Sequence, residues 1–195
     1  MIPGIFLAAG EGKRFSSGKL LSLIDGKPLI IRSLKASVES SLEEVFVVLG
    51  HQAEIIRKTV EDYFQENGKL KFLINPDYEK GMISSLNKGL AELREGASGT
   101  VMILGDMPFV KSYTIDKLIR SWNGKEFLIP EVNGKKTHPR IIPVSVFKDF
   151  LEMEILRSGK EVLEKNRTII KTLSFRNEKE FRDIDVKSDI PDNYL

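Results

Sequence analysis

Two hydrophobic rhythms alternate along the first two-thirds of the chain. Val45 to Leu49, Leu70 to Ile74 and Val101 to Leu104 read as apolar runs, as expected of strands covered on both faces of a parallel sheet. Ile5 to Ala9 reads as a first strand of the same kind. Between these runs, Pro28 to Val38, Ala53 to Phe64 and Ile83 to Leu93 repeat apolar residues at three- and four-residue spacing, which predicts amphipathic helices. Pro28 suits a first helical turn and Asn67-Gly68 a helix end. The alternation predicts an α/β domain: an open, mostly parallel sheet with helices on both faces and right-handed crossovers.

The rhythm changes after Trp122. Phe127 to Val132, Asn133-Gly134 and Lys136 to Pro143 predict a β-hairpin, because Asn-Gly supplies the positive φ angles of a type I′ turn. Helices are expected around Val146 to Met153 and Lys160 to Glu164, then a strand from Ile169 to Phe175. Asp183 to Val186 reads as a last short strand. With no repeat, low-complexity tract or linker, residues 1–195 form one domain, carrying the hairpin at about 127–143 as a small insertion.

Composition narrows the chemistry more than the fold. The 195 residues hold 30 Lys and Arg against 28 Asp and Glu, a balance that advertises neither nucleic acid nor a membrane surface as partner. There is no cysteine, which excludes disulfides, thiolate zinc sites and a thiol nucleophile. Two histidines, His51 and His138, leave little for an imidazole-built metal site. The apolar start lacks a basic leader and is too short to span a bilayer, so a cytoplasmic protein is expected. Chemistry here must run on carboxylates, Lys, Arg and backbone amides.

In an open α/β sheet, ligands bind beyond the carboxyl ends of the strands, where strand order reverses. The residues that follow each apolar run are therefore the candidates. After the first strand comes Gly10-Glu11-Gly12-Lys13-Arg14-Phe15-Ser16-Ser17-Gly18-Lys19, whose glycines bring amide groups close to an anion while Lys and Arg add charge. It is neither a Walker loop nor a dinucleotide fingerprint, since Lys13, Leu20 and Phe15 stand where those motifs need other residues. Triphosphate binding and a charged surface turn both fit it. Gly105-Asp106-Met107-Pro108 places a carboxylate where Mg²⁺ is commonly held, or where an ordinary turn is capped. In Asn75 to Leu86, Asn-Pro forces an extended exit and Gly81, followed by Ser84 and Ser85, opens a helix whose amides suit a base, ribose or phosphate. Thr137-His138-Pro139-Arg140 offers a His able to orient an acceptor or merely to sit on the surface. Alternation in Asp183-Ile184-Asp185 sets both carboxylates on one strand face, as metal ligands or as a solvated edge.

Together these segments resemble the MobA-like nucleotidyltransferase family, and within it the branch that includes molybdenum cofactor cytidylyltransferase. The family's opening L-A-[AG]-G-x-[GS]-x-R-M-G-x-x-K is similar to Leu7 to Lys19, with Arg14 and Lys19 in register and Phe15 for the usual Met. L-L-x-x-x-G-x-P-L is matched by Leu20-Leu21 through Leu29, N-P-x(4)-G-M-x-x-S-L by Asn75 to Leu86, and D-M-P by Asp106-Met107-Pro108. The closing D-x-D resembles Asp183-Ile184-Asp185, with Val186-Lys187 for Thr-Pro, and the branch's G-H-P appears as Thr137-His138-Pro139.

The resemblance implies transfer of a nucleotidyl group from an NTP, CTP favoured over GTP, to a phosphorylated acceptor such as molybdopterin, with release of pyrophosphate and with Mg²⁺ as cofactor. It assigns Arg14, Lys19 and Asp106 to catalysis, with the amides of Gly10 and Gly12 around the triphosphate. Leu7, Ala8, Ala9, Gly50, Asn75 and Gly81 fall on the nucleotide side. Ser84, Ser85 and His138 fall on the acceptor side. Asp106 and Asp185, or Asp183 in its place, would hold the metal. A molybdoenzyme would receive the product; neither nucleic acid nor membrane is a partner. A guanylyltransferase of the same cofactor, a sugar-phosphate nucleotidyltransferase and a non-catalytic maturation chaperone are the alternatives. The residue inventory agrees: a phosphate nucleophile needs no general base, only positioning and charge neutralisation.

Overall fold

A computed structural model describes residues 2–12, 15, 18–65, 67–93, 95–152 and 159–190. The apolar runs become β1 (Gly4–Ala8), β4 (Val45–Leu49), β5 (Leu70–Ile74) and β6 (Gly99–Leu104), all parallel. Two short strands, β2 (Leu23–Ile24) and β3 (Lys27–Pro28), lie between β1 and β4 in the chain and form a separate two-stranded hairpin; Asp25 and Gly26 turn it with φ of 50° and 70°. β7 (Phe127–Val132), β8 (Lys135–Lys136), β9 (Arg140–Pro143) and β10 (Ile170–Phe175) complete the main sheet in the order β10-β7-β9-β6-β1-β4-β5, with β8 on β7.

β1 is fully buried, flanked by β4 and β6. The chain leaves β1 for β4 and β5 on one side, then crosses to β6 on the other, so strand order reverses between β1 and β6. Their carboxyl ends are therefore the place for a ligand.

Alternation along β1 divides the core. Phe6 and Ala8 join the apolar layer under α1 (Leu29–Glu39), α2 (Ala53–Phe64) and α4 (Ser112–Ser121). Ile5 and Leu7 join the layer under α3 (Met82–Ala91), α5 (Phe147–Leu151) and α6 (Gly159–Lys165). Helices thus cover both faces, as the periodicity predicts.

Several elements differ from the sequence reading. β5 is not covered on both faces: it lies at the sheet edge, with Lys71 exposed and Ile74 48% accessible. The Asn133-Gly134 turn has the expected positive φ, 50° and 76°, but its return arm does more than close a hairpin. β9 lies antiparallel to β6, inside the main sheet, with Met102 opposite Arg140. Helix α4 is not among the elements predicted above, although Ile115, Leu118 and Ile119 recur at helical spacing. Asp183 to Val186 is not a strand. It makes one sheet-like hydrogen bond, from the Ile184 amide to the Asp106 carbonyl at 2.9 Å, and then turns. The Asp189 carboxylate closes that turn by accepting the amides of Asp185 and Val186 at 2.7 and 2.8 Å, and those two bonds hold its pKa below the usual carboxylate value. Met153 lies outside the described residues. No described helix is long and apolar enough to cross a membrane.

Candidate active site

A cleft of about 490 Å³ opens where strand order reverses. β1 and the loop after it contribute Leu7, Ala8, Ala9, Gly10, Gly12 and Lys19. The loop after β5 and the first turns of α3 contribute Gly81 and Ser85, and the far wall carries Asp106 and Asp185. Four chain segments, distant in sequence, converge there as the strand-end argument expects. Arg14 lies outside the described residues.

Lys19 organises the charged end. Its Nζ donates to Asp106 Oδ2 and to Asp185 Oδ1, each at 3.0 Å. Only 10% of its side chain is accessible, against 29% for Asp106 and 46% for Asp185. Burial alone would lower the Lys19 pKa, but the two carboxylates outweigh it and hold the ammonium above its ordinary value. The loop is shaped to present this side chain. Gly12 has φ +61°, and a Cβ there would sit 2.7 Å from Lys19 Cβ, so a glycine is required on both counts.

The other oxygen of Asp106, Oδ1, is buried and has no hydrogen-bond partner among the described residues. A buried carboxylate oxygen left in this way calls for a cation or a donor from outside the chain. Two carboxylates with one oxygen to spare suit Mg²⁺ or Mn²⁺, which takes one or two protein carboxylates and completes its shell with substrate phosphates and water. The described residues contain no cluster of three acidic or imidazole groups that would cage a metal unaided. Asp183 is exposed and does not line the cleft, so Asp185 is the carboxylate of that pair that reaches the site.

Some expected ligand groups are scaffolding instead. Asn75 is 3% accessible; its Nδ2 donates to Ser84 Oγ at 2.9 Å and Ser85 Oγ at 3.0 Å, while its Oδ1 accepts the Asp77 amide. Ser84 Oγ also lies 2.9 and 2.8 Å from the Asp77 and Gly81 carbonyls. Its hydroxyl is saturated within the chain and faces no cleft, so Asn75 and Ser84 pin the loop rather than line the cleft. Gly50 also lies outside the lining. A Cβ there would meet Tyr78 Cβ at 2.5 Å and the Ala9 carbonyl at 2.8 Å, so Gly50 lets Tyr78 pack against the end of β1.

His138 stands apart from the cleft lining but at the same end of the sheet. Two residues beyond the Arg140–Met102 register pair, it emerges at the carboxyl end of β6, the end that carries Asp106. Its Nε2 is buried with no described partner; burial, with the Arg140 charge behind it, pushes its pKa down to about 3. The imidazole is therefore neutral at physiological pH.

Sequence reasoning missed Tyr78, Met82, Leu20 and Leu104, all of which line the cleft. Met82 is 49% accessible, an apolar side chain at a helix start where packing does not demand one. A larger cleft, about 920 Å³, lies between α1 and the start of α4 and shares none of the site residues.

Fold and site together define an α/β domain with a carboxylate–lysine centre at the switch point of its sheet. The chain belongs to the MobA-like NTP transferase domain family, whose pattern it matches over residues 4–170. It is 35% identical over 141 residues to the bifunctional protein GlmU of Pelobacter propionicus, covering 71% of this chain and 29% of that protein. It thus spans under a third of the length of the curated relatives it matches. Among solved structures, Rv0371c of Mycobacterium tuberculosis H37Rv superposes with a TM-score of 0.82 at 20% identity, covering 97% of this chain and 95% of that one. The same protein in complex with manganese gives 0.73 at 20% identity, over 90% and 89% of the two chains. A CMP:2-keto-3-deoxy-manno-octonic acid synthetase complexed with CTP gives 0.74 at 14% identity, over 96% and 95%.

Proposed function

We propose that this chain transfers a nucleotidyl group from an NTP, CTP by preference, to the phosphate of a small-molecule acceptor of the molybdopterin type. The observation that carries this reading is the Asp106–Lys19–Asp185 arrangement at the reversal point of the sheet. A phosphate oxygen of the acceptor attacks the α-phosphorus, a new P–O bond forms, and the bond to the β-phosphate bridging oxygen breaks to release pyrophosphate. The nucleophile is already anionic, so no general base is needed; positioning and charge neutralisation supply the rate.

The residues divide accordingly. Lys19, with Arg14 beside it in the motif, would neutralise the triphosphate, and the amides around Gly10 and Gly12 would cradle it. Backbone groups of Leu7 to Ala9 would read the base against the apolar surface of Tyr78 and Met82. Asp106 and Asp185 would hold a divalent cation, Mg²⁺ by expectation, which neutralises phosphate charge when bound. Ser85 and His138 would face the acceptor; a neutral His138 can accept or donate a hydrogen bond without adding charge. Family membership and the CTP complex of a similar fold support the nucleotide, and the manganese complex of another supports the cation.

The test is a panel of CTP, GTP, ATP and UTP with Mg²⁺, read by thermal shift on wild type and Asp106→Ala. A ligand at a hundred times its Kd adds about 2.7 kcal/mol of stability, well within detection. A selective CTP shift, followed by pyrophosphate release on adding molybdopterin, is the expected result. A selective GTP shift would move the reading to guanylyl transfer. No shift with any nucleotide would leave the non-catalytic carrier as the better account.

A further inference from the structure

We infer that Arg140 and His138 form an oxyanion site beside the cleft, at the carboxyl end of β6, and that it takes the phosphate of the acceptor. The inference rests on the nucleotidyl-transfer reading of the cleft and deepens it by giving the acceptor's charged group a place.

Arg140 is a cation set among apolar neighbours. It lies opposite Met102 on β6, and the Leu128–Ile141 pair sets Ile129 of β7 on its other side. Met102 and Ile129 are buried members of the apolar layer under α3, α5 and α6. Alternation along β9 puts Arg140 on that same face, with Ile142 of the same layer two residues on. The residue is only partly accessible, and burial lowers its pKa to about 10, so the guanidinium stays charged at neutral pH. Among the described residues no carboxylate pairs with it. Its hydrogen bond there runs from Nε to the Thr137 carbonyl at 2.8 Å, which leaves both terminal nitrogens of the fork without a described acceptor. A guanidinium held in this way costs stability unless an anion compensates it.

The site has a second donor. The bond to Thr137 turns the arginine back toward its own loop, where His138 sits close enough to feel the Arg140 charge. His138 Nε2 is buried and has no described partner, a second unsatisfied polar group at the same spot. One oxyanion answers both. The planar fork suits two oxygens of a phosphate, and a neutral imidazole with its proton on Nε2 donates to a third. Position selects the acceptor over the nucleotide. Gly10 and Gly12 follow β1, and Tyr78 and Gly81 follow β5, so these lining residues mark one flank of the cleft. Arg140 and His138 belong to β9 and the loop before it, on the far side of β6 from β1. The end of β6, which carries the lining residues Leu104 and Asp106, lies between the two flanks. An anion held at Arg140 therefore stands across the candidate metal carboxylate from the triphosphate loop.

The test is a titration of the full chain with inorganic phosphate, without nucleotide and at constant ionic strength, read on the ring resonances of its two histidines by NMR. His51→Gln assigns them. His138 is expected to shift saturably, and Arg140→Met to weaken that titration on the order of tenfold or more. His51, whose ring lies near Tyr78, reports the nucleotide side and is expected to respond alike in both proteins. A His138 signal that ignores phosphate, or that titrates with wild-type affinity in Arg140→Met, would overturn the proposal. If Arg140→Met does not fold, Arg140→Lys takes its place. It keeps the charge without the fork and is expected to bind several-fold more weakly; wild-type affinity there would overturn the site as well. Acetate, with too few oxygens to meet both residues, is expected to bind far more weakly, and an equal response to it would overturn the choice of phosphate. In the transfer assay with CTP and molybdopterin, Arg140→Met is expected to raise the acceptor KM and leave the CTP KM unchanged; an equal rise in both would remove the site from the acceptor side. A wild type that binds no NTP would sink nucleotidyl transfer while the phosphate titration still decides the site. A wild type that binds CTP while His138 ignores phosphate would sink only the site.

Discussion

The amide of Ile184 donates to the carbonyl of Asp106 at 2.9 Å, and this single bond ties the C-terminal segment to the loop that carries the central carboxylate. Ile184 is fully buried in the layer beneath α1 and α4, so its side chain anchors the same junction. Asp185 follows directly and owes its position to that anchor. Ile184→Ala is expected to destabilise the fold by about 2–5 kcal/mol, the usual cost of a large-to-small change at a filled core position. It is also expected to weaken Mn²⁺ binding in the presence of nucleotide more than nucleotide binding alone. Urea unfolding and metal titration together check it; a stability loss with unchanged metal affinity would mean that Asp185 is positioned by its own turn.

Asp106→Ala removes the carboxylate that Lys19 contacts and the oxygen left unpartnered in the cleft. Pyrophosphate release is expected to fall on the order of 10²-fold or more, the typical cost of one preorganised electrostatic element. The fold should survive, since Asp106 lies at a strand end and not in the apolar core. Substantial turnover of the variant in excess Mg²⁺ would overturn its assignment.

The sheet was legible in the sequence because buried parallel strands write themselves as apolar runs, and Asp106 was legible because it ends one. Helix α4 was legible too, since Ile115, Leu118 and Ile119 recur at helical spacing, but the reading of the periodic segments passed over it. The end of the chain misled. Asp-Ile-Asp-Val alternates like a strand, but alternation records only which side is buried, and here Ile184 alone faces inward while no neighbouring strand is there to pair. Lys19 and Asp185 could be named as candidates, yet their shared contact spans 166 positions and no local pattern encodes it. The reverse error arose at Asn75, Ser84 and Gly50. Polar or small residues at strand ends look like ligand groups, and only the closed hydrogen bonds of Asn75 and the packing of Tyr78 on Gly50 reveal them as supports.

That support role has a measurable consequence. A methyl group at position 50 would lie 2.5 Å from Tyr78 Cβ and 2.8 Å from the Ala9 carbonyl oxygen, both far inside contact distance. The carbonyl belongs to the end of the central strand and cannot retreat, so Tyr78 must. Gly50→Ala is expected to cost about 1–3 kcal/mol of stability, as overpacking does, and to weaken nucleotide binding by displacing a cleft wall. Chemical denaturation and CTP titration test the two halves. Full nucleotide affinity in a destabilised variant would show that Tyr78 contributes nothing to the nucleotide side.

His138 makes stability depend on pH in a defined direction. Its folded-state pKa is lowered from 6.5 to about 3 by burial, with the Arg140 charge adding to the effect. The unfolded chain therefore binds a proton on this imidazole at pH values where the folded protein does not. The corresponding stability is fully present above about pH 6.5 and is lost progressively as pH falls toward 3. At pH 5 the loss from this group is about 2 kcal/mol relative to pH 7. Urea unfolding at the two pH values should show wild type losing more stability than His138→Gln, which has no proton to gain; carboxylates common to both proteins cancel in the comparison. Identical losses in the two proteins would mean that His138 becomes solvated and protonated without unfolding, and that its burial is not held by the fold.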